Sequence, residues 1–456
     1  MLKTEDLASI SRRDLLSNAG KAVSIASLAA SATRVLGAND RINVAIIGIG
    51  NLGLRHLRER LLPLGAQNRL QMVAACDIYT KAKERAHDVI GLQSKDIHHD
   101  YRDMLERKDV DAVVIVTPEH LHHVMAMAAL KAGKDIYLEK PMTRTIDEAR
   151  ELAAAVRKSG KILQVGSQYL SDPRTHLARE VVEKGWIGQV VGAQASSSSN
   201  SLYGMWEYRV EPEATAKTVD WSAFLGAAPK RPFSAERYFR WRKYWDYSGG
   251  IGPDIFYHEL SPLLFAVGSQ FPVRVSAHGG ILFSRNREVP DVYSMTAEYE
   301  DFSVELSANS SCSAFGANRP KAIFGREATI TFGAKGIDVR PEPLFRSKFE
   351  KATGAKELHL ERDSAVDAAF RMAHVVNFLD SVRSRKQPHY DADLGYRVTA
   401  AIQLGVDSYR ESRMMLFDPQ SERVTAHAPK RPGYEGTGEN YDEPGSSATD
   451  GRTEKG

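Results

Sequence analysis

Cysteine is nearly absent from this 456-residue sequence: Cys76 and Cys312 are the only two. Two cysteines cannot build a disulfide framework, and by themselves they cannot make a zinc site. A dominant charge sign is also missing, with 61 Lys+Arg against 58 Asp+Glu and a net charge of +3. Polyanion binding draws its energy from a clustered basic excess, so the balance argues against a nucleic-acid partner. No run of 18 apolar residues occurs, which excludes an ordinary membrane-spanning helix. What is present, 42% hydrophobic and 26% charged residues, is the composition of a globular protein. It excludes disordered, coiled-coil and collagen-like chains. At about 150 residues per domain the length suggests two to three domains.

The two ends differ from the rest. Ser11-Arg12-Arg13-Asp14-Leu15-Leu16 precedes a mildly apolar run, Ala22 to Ala32, followed by small residues up to Leu36-Gly37-Ala38. This order resembles a twin-arginine export signal. The resemblance implies a signal over residues 1–38, a twin-arginine export machinery as partner, and a periplasmic protein, tethered to the membrane if the signal stays uncleaved. An ordinary amphipathic helix with a chance Arg-Arg is the alternative. Residues 1–38 hold five positive and three negative charges, so the remainder is near +1. Residues 418–456 read as a tail. From Pro432 to Gly456 it has six Gly, six acidic and two basic residues, and this part is expected to be disordered.

Between the ends the chemistry begins at Asn43 to Ile47, a short β-branched run of the kind that forms a buried parallel strand. Gly48-Ile49-Gly50-Asn51-Leu52-Gly53 follows at once, and Leu54 to Leu62 reads as a helix. This is G-x-G-x-x-G between a strand and a helix. Gly48 permits the tight turn, Gly50 lets a pyrophosphate approach the backbone, and Gly53 allows close helix–strand packing. The next strand, Leu70 to Ala75, ends at Cys76-Asp77, where an acid would accept hydrogen bonds from the adenine ribose. A carboxylate there repels a 2′-phosphate, so NAD is favoured over NADP. Cys76 reads as a small buried residue.

Further strand–helix units follow: Ala112 to Val116 with Thr117-Pro118 and a helix from His122, then Asp135 to Leu138 with Glu139-Lys140-Pro141, then Ile146 to Lys158 and Ile162 to Val165. Alternation of this kind implies a parallel sheet whose ligands sit at the carboxyl ends of the strands. The glycine motif, Asp77, Thr117-Pro118 and Glu139-Lys140 all fall there. The fold class is therefore α/β: a Rossmann dinucleotide-binding domain over 39–165. A second domain over 166–417 shows alternating strands that fit a sheet buried on one face.

Glu139-Lys140-Pro141 after a Rossmann half resembles the glucose–fructose oxidoreductase, inositol dehydrogenase and MocA family. Thr117-Pro118 with His122, Val165-Gly166-Ser167-Gln168, Gly185-Trp186-Ile187-Gly188 and Gly249-Gly250 with Asp254 and His258 are similar too. The resemblance covers about residues 42–417. It implies that the second domain is a C-terminal α/β domain with an open, mostly antiparallel sheet, that the protein is a homo-oligomer, and that it transfers hydride between NAD(H) and a sugar, inositol or glycoside hydroxyl. It also implies site residues: Lys140 holding the substrate oxygen, His258 as acid/base, Asp254 beside it, and Gln168 lining the pocket. Glu139, Thr117, Pro118 and His122 would lie near the cofactor.

The residues themselves are compatible with this. Asp254 and His258 are four apart and share a helix face, and a histidine suits proton transfer near neutrality. Ser261 stands where the family often carries an acid, and Pro262 is expected to interrupt the helix. Tyr238 to Tyr247 is the densest aromatic and basic stretch, and Trp245 and Tyr247 are candidates for a sugar-facing wall. His98-His99 and His120, His122 and His123 lack placed acids, so no metal is expected. An exported NAD enzyme meets no free NAD pool, which implies a tightly retained cofactor recycled in place. The alternatives are a redox-neutral NAD-dependent glycosidase using the same residues, and a non-catalytic sugar or NAD sensor.

Overall fold

The computed structural model describes residues 41–67, 69–361 and 366–426, without the side chains of 366–369. The expected signal and the glycine-rich acidic tail lie outside these residues.

The first sheet has six parallel strands: β1 Ile42–Ile47, β2 Leu70–Cys76, β3 Ile97–His98, β4 Ala112–Ile115, β5 Asp135–Leu138 and β6 Leu163–Val165, in the order β3-β2-β1-β4-β5-β6. Strand order reverses between β1 and β4, so a crevice opens where their carboxyl ends diverge. Every residue of β4, β5 and β6 is buried, as helices on both faces require.

Five helices position the site from here on. The helix α1 (Asn51–His56) opens directly from the glycine turn and runs into a wider i→i+5 turn, Leu57–Leu61. The helices α2 (His122–Lys131) and α3 (Ile146–Ser159) follow β4 and β5. Thr145 and Glu148 cap α3 reciprocally, side chain to backbone. The helix α4 (Tyr257–Val267) lies between the domains. The helix α5 (Val366–Ser384) returns to the first sheet: Val375, Phe378 and Leu379 join the core of Val44 and Ile46. Arg385 closes the return with two bonds to Asp135 at the foot of β5. The Rossmann layer is thus completed by residues far beyond its sequence boundary at 165.

The second sheet has ten strands in the order β14-β13-β12-β11-β7-β10-β9-β8-β15-β16. It runs from β7 (Val190–Ser198) through β8 (Arg274–Gly280), β9 (Val292–Glu298), β10 (Ser303–Asn309), β11 (Ala322–Gly325), β12 (Ala328–Phe332), β13 (Gly336–Pro341) and β14 (Leu358–Glu361) to β15 (Met415–Asp418) and β16 (Arg423–Thr425). Only β7 and β10 pair in parallel among the described strands of this sheet. The helices α4 and α6 (Ala392–Glu411) pack against it. Alternation along β9 puts Tyr293, Met295 and Ala297 inward and leaves their neighbours half-buried.

Candidate active site

The glycine turn is shaped by what lies against it. Gly48 has φ +93°, and a Cβ there would stand 2.6 Å from the Val116 carbonyl oxygen. A Cβ on Gly53 would stand 2.1 Å from the Gly48 carbonyl oxygen, so α1 packs on the turn without room for any other residue. At Gly50 a Cβ would meet nothing within 4 Å. The turn is open on this side, and no side chain caps α1 at Gly50. Asn51 is exposed, Leu52 is half-buried against the core, and Ile49 is fully buried.

Asp77 braces this turn. Its Oδ2 accepts from Ile49 N at 2.7 Å and its Oδ1 from Tyr79 N at 2.8 Å. Burial pushes its pKa up, and these backbone donors oppose the rise. The expected role of reading ribose hydroxyls is therefore joined by a structural one. The turn, its open face and this acid suit a dinucleotide pyrophosphate and its adenosine half.

A long segment of the second domain closes over the same strand end. Val219 pairs with Tyr79, Asp220 N donates to Ile78 O at 3.1 Å, and Thr80 N donates to Thr218 O at 3.0 Å. Glu211 accepts from the Tyr79 hydroxyl at 3.0 Å and pairs with Arg85 at 2.5 Å. Rings of Tyr238 and Phe239 stand edge-on to Tyr79.

At the β5 end the Lys140–Pro141 peptide is cis. Lys140 Nζ donates to Asp254 Oδ1 and to the Asp254 carbonyl oxygen, both at 2.6 Å. Asp254 Oδ1 also accepts from Arg242 Nε at 3.0 Å, and its Oδ2 accepts from Trp206 Nε1 at 2.8 Å. Burial alone would raise this carboxyl, but the Lys140 and Arg242 charges hold it far below the usual range. One turn on, His258 Nδ1 lies 2.9 Å from Ser167 Oγ. Burial, then the Lys140 charge, lowers the His258 pKa to about 3. That is well below the near-neutral value expected from the sequence, because burial disfavours the charged ring. The imidazole is neutral at pH 7, and its Nε2 has no partner among the described residues. Asp254 and His258 stay on one side although the helix differs from expectation. Asp254 lies in a wider i→i+5 turn, Gly252–Phe256, and Pro262 sits inside α4 without ending it. Pro262 lacks the N–H that would have bonded to the His258 carbonyl.

The comparisons with known proteins follow this geometry. Residues 42–167 match the model of an oxidoreductase family, NAD-binding Rossmann fold, and residues 175–302 match the C-terminal alpha/beta domain of the same family. The chain belongs to the glucose–fructose oxidoreductase, inositol dehydrogenase and MocA oxidoreductase family. Inositol 2-dehydrogenase of Salmonella typhimurium strain LT2 is 32% identical over 149 residues, 32% of this chain and 43% of that protein. The chain thus spans less than half the length of that relative. The scyllo-inositol 2-dehydrogenase (NAD(+)) of Bacillus subtilis strain 168 is 24% identical over 68% of this chain and 83% of its own. A levoglucosan dehydrogenase solved in complex with NADH shares the fold with TM-score 0.61 at 20% identity, covering 82% of this chain and 98% of that one.

Within this family member, several expected contacts belong elsewhere. The Glu139 carboxylate is engaged by protein partners. It is buried, accepts from His56 Nε2 at 2.7 Å and from its neighbour Lys140 N at 3.2 Å. Burial would raise it, yet His56, Arg60 and Lys140 hold it at about 2. It is a buttress beneath the Lys140 turn. His122 is a tie as well: it is buried, with Nδ1 2.6 Å from Pro141 O and Nε2 2.9 Å from Thr117 O. Thr117 turns its hydroxyl to Met125 Sδ, 3.6 Å away, and the Pro118 carbonyl oxygen accepts from Leu121 N at 3.0 Å. Tyr247 is fully buried against Phe224 and His120, a core residue and no sugar wall. The Trp245 ring lies under Arg410 and beside Tyr409, with no hydrogen bond or ring contact to Lys140, Asp254 or His258. Gln168 stays half-buried beside Ser167.

Four groups at the site were not anticipated. Arg242 and Trp206 share Asp254, Ser167 orients His258, and Glu119 is buried with Gly249 N donating to its Oε1 at 2.7 Å. Arg242 lies inside the aromatic–basic stretch that the sequence did single out. Trp206 and Glu119 carried no signal of spacing.

Proposed function

We propose that the chain is an NAD-dependent oxidoreductase acting on a secondary hydroxyl of a sugar, inositol or glycoside. The observation that carries this reading is Lys140 fixed by Asp254 beside a neutral His258, next to a glycine turn with one open face. NAD, when bound, supplies the hydride acceptor. The Lys140 ammonium binds the substrate oxygen and stabilises negative charge as it develops there. His258 Nε2 takes the hydroxyl proton. The tautomer able to do so carries hydrogen on Nδ1 and donates it to Ser167 Oγ. Positioned proton transfer of this kind contributes about 10²–10⁴-fold in rate. Asp77 disfavours a 2′-phosphate, so NAD is preferred over NADP.

The reading extends to a retained cofactor. Main-chain pairing through Val219, Thr218 and Asp220, together with the Glu211 contacts, closes the adenosine end of the nucleotide site. A nucleotide held behind this latch must be returned to its starting state in place, by a second substrate or by a redox-neutral elimination at a glycoside. Retention also fits the export proposed for residues 1–38, since a twin-arginine machinery carries folded, loaded proteins. The open face of the ten-stranded sheet fits a homo-oligomer.

Freshly purified full-length protein incubated with sugars, inositols and aryl glycosides, with and without added NAD+, tests the reading. NADH accumulation supports net oxidation, and released aglycone without net NADH supports the elimination route. Unchanged rates of both in Lys140→Ala and His258→Ala would refute the site.

A further inference from the structure

We propose that Arg242 binds a carboxylate of the substrate, so that the cleft takes an acidic sugar such as a uronate or aldonate. This rests on the sugar oxidoreductase reading above and narrows its substrate class.

The segment from Arg237 to Lys243 is dense in cations, and all but one have their own counter-charges. Arg237 pairs with Asp246 and Glu288, Arg240 with Glu207 and Glu236, and buried Lys243 with the same two glutamates. Arg242 is different. Its Nε reaches Asp254 Oδ1 at 3.0 Å, but that single negative charge is already met by Lys140 at 2.6 Å. Two cations share one anion. Glu119, the other acid facing Arg242, is pushed by burial to about 7 and spends an oxygen on Gly249 N. Lys321, the other cation near His258, is matched by Glu259 at 2.7 Å. Glu139, the remaining acid beside Lys140, is taken up by His56 at 2.7 Å and by the Arg60 charge. The cleft keeps an excess positive charge.

The geometry of that excess charge is specific. The Arg242 guanidinium lies on the Trp241 ring, 4.1 Å from its centroid, and only 17% of the side chain is exposed. Its two terminal NH2 groups have no protein acceptor among the described residues. A half-desolvated guanidinium with one edge unspent is costly to leave unpaired. Two parallel N–H groups on that edge match the two oxygens of a carboxylate, which a lysine cannot do. Because Arg242 and Lys140 donate to the same oxygen atom, one hexose-sized molecule reaches both. Its carbinol then sits at Lys140 and His258 while its carboxylate meets Arg242.

The test titrates NADH-loaded full-length protein with matched pairs: D-glucuronate and D-glucose, D-galacturonate and D-galactose, D-gluconate and D-glucitol. Tryptophan fluorescence reports binding, since Trp206 and Trp241 flank the site. At least one acid is expected to bind at least about tenfold more tightly than its neutral partner. The preference should shrink with added salt and vanish in Arg242→Gln. Equal affinities in every pair, no binding of any acid, or a preference that survives Arg242→Gln would overturn the proposal. The outcomes separate from the broader reading. Turnover of neutral sugars without acid preference sinks only the carboxylate site, whereas failure to bind NADH sinks the oxidoreductase itself.

Discussion

Replacing Asp254 with asparagine keeps its shape and removes its charge. Its two oxygens now serve Lys140, Arg242 and Trp206. An asparagine offers one carbonyl oxygen and one NH2. Turned one way, the NH2 faces the Trp206 indole N–H; turned the other way, it faces Lys140 and Arg242. In both orientations a donor confronts a donor, and two largely buried cations lose the anion between them. Removing one partner of a buried ion pair costs about 3–5 kcal/mol. Asp254→Asn is expected to lower the unfolding free energy by about that much, read from urea unfolding at pH 7. A second background shows where the loss comes from. In Lys140→Met the anion has one cation fewer to compensate, so the same substitution should cost markedly less, and the double-mutant cycle should show strong coupling. A loss below about 1 kcal/mol, or an equal loss in both backgrounds, would refute the claim that Asp254 fixes Lys140.

Three further predictions test other parts of the site. His258→Gln should lower kcat by about 10²–10⁴-fold while NADH affinity stays unchanged; a kcat within a few-fold of wild type would exclude His258 as the base. Glu211→Gln loosens the latch on Tyr79 and Arg85, so NADH release measured by stopped-flow displacement should accelerate, and an unchanged rate would remove the latch from cofactor retention. His374 is buried between Ser171 Oγ at 2.8 Å and Val165 O at 2.9 Å, with a pKa lowered to about 4 by burial. Its folded pKa lies below its unfolded value, so its contribution to stability is full above pH 6.5 and is lost as the pH falls toward 4. The stability gap between wild type and His374→Gln should therefore change by about 1.4 kcal/mol per pH unit in that window, and a pH-independent gap would contradict it.

How far the sequence reveals this molecule depends on the range of the contacts. Local patterns carry the first sheet: the glycine motif needs only its own strand and helix, and β1, β4, β5 and β6 appear where the apolar runs predict them. The second sheet is legible where alternation is strong, as in β9 and β10. The return of α5 to the Rossmann layer is not, because nothing local says which sheet a helix covers. At the site, Lys140, Asp254 and His258 are legible through spacing and resemblance. The roles of Glu139 and His122 are not, because the sequence gives position at a strand end but not which way a side chain turns. Both turn inward to ionic and carbonyl partners supplied by His56 and Pro141. In the stretch from Tyr238 to Tyr247, composition flags a functional wall but cannot separate the buried Tyr247 from Arg242, which pairs with Asp254.

The segment between β7 and α4 touches both ends of the crevice. Near Glu211 and Val219 it grips the strand that ends in Asp77, and near Arg242 it reaches the anion that anchors Lys140. One stretch of chain therefore borders both of the proposed ligand sites. Thermodynamic linkage then applies: whatever free energy a seated nucleotide contributes to holding substrate, bound substrate contributes equally to holding the nucleotide. On the reading proposed above, such an enzyme would grip its cofactor most firmly in the middle of turnover, when losing it would strand a half-reacted molecule.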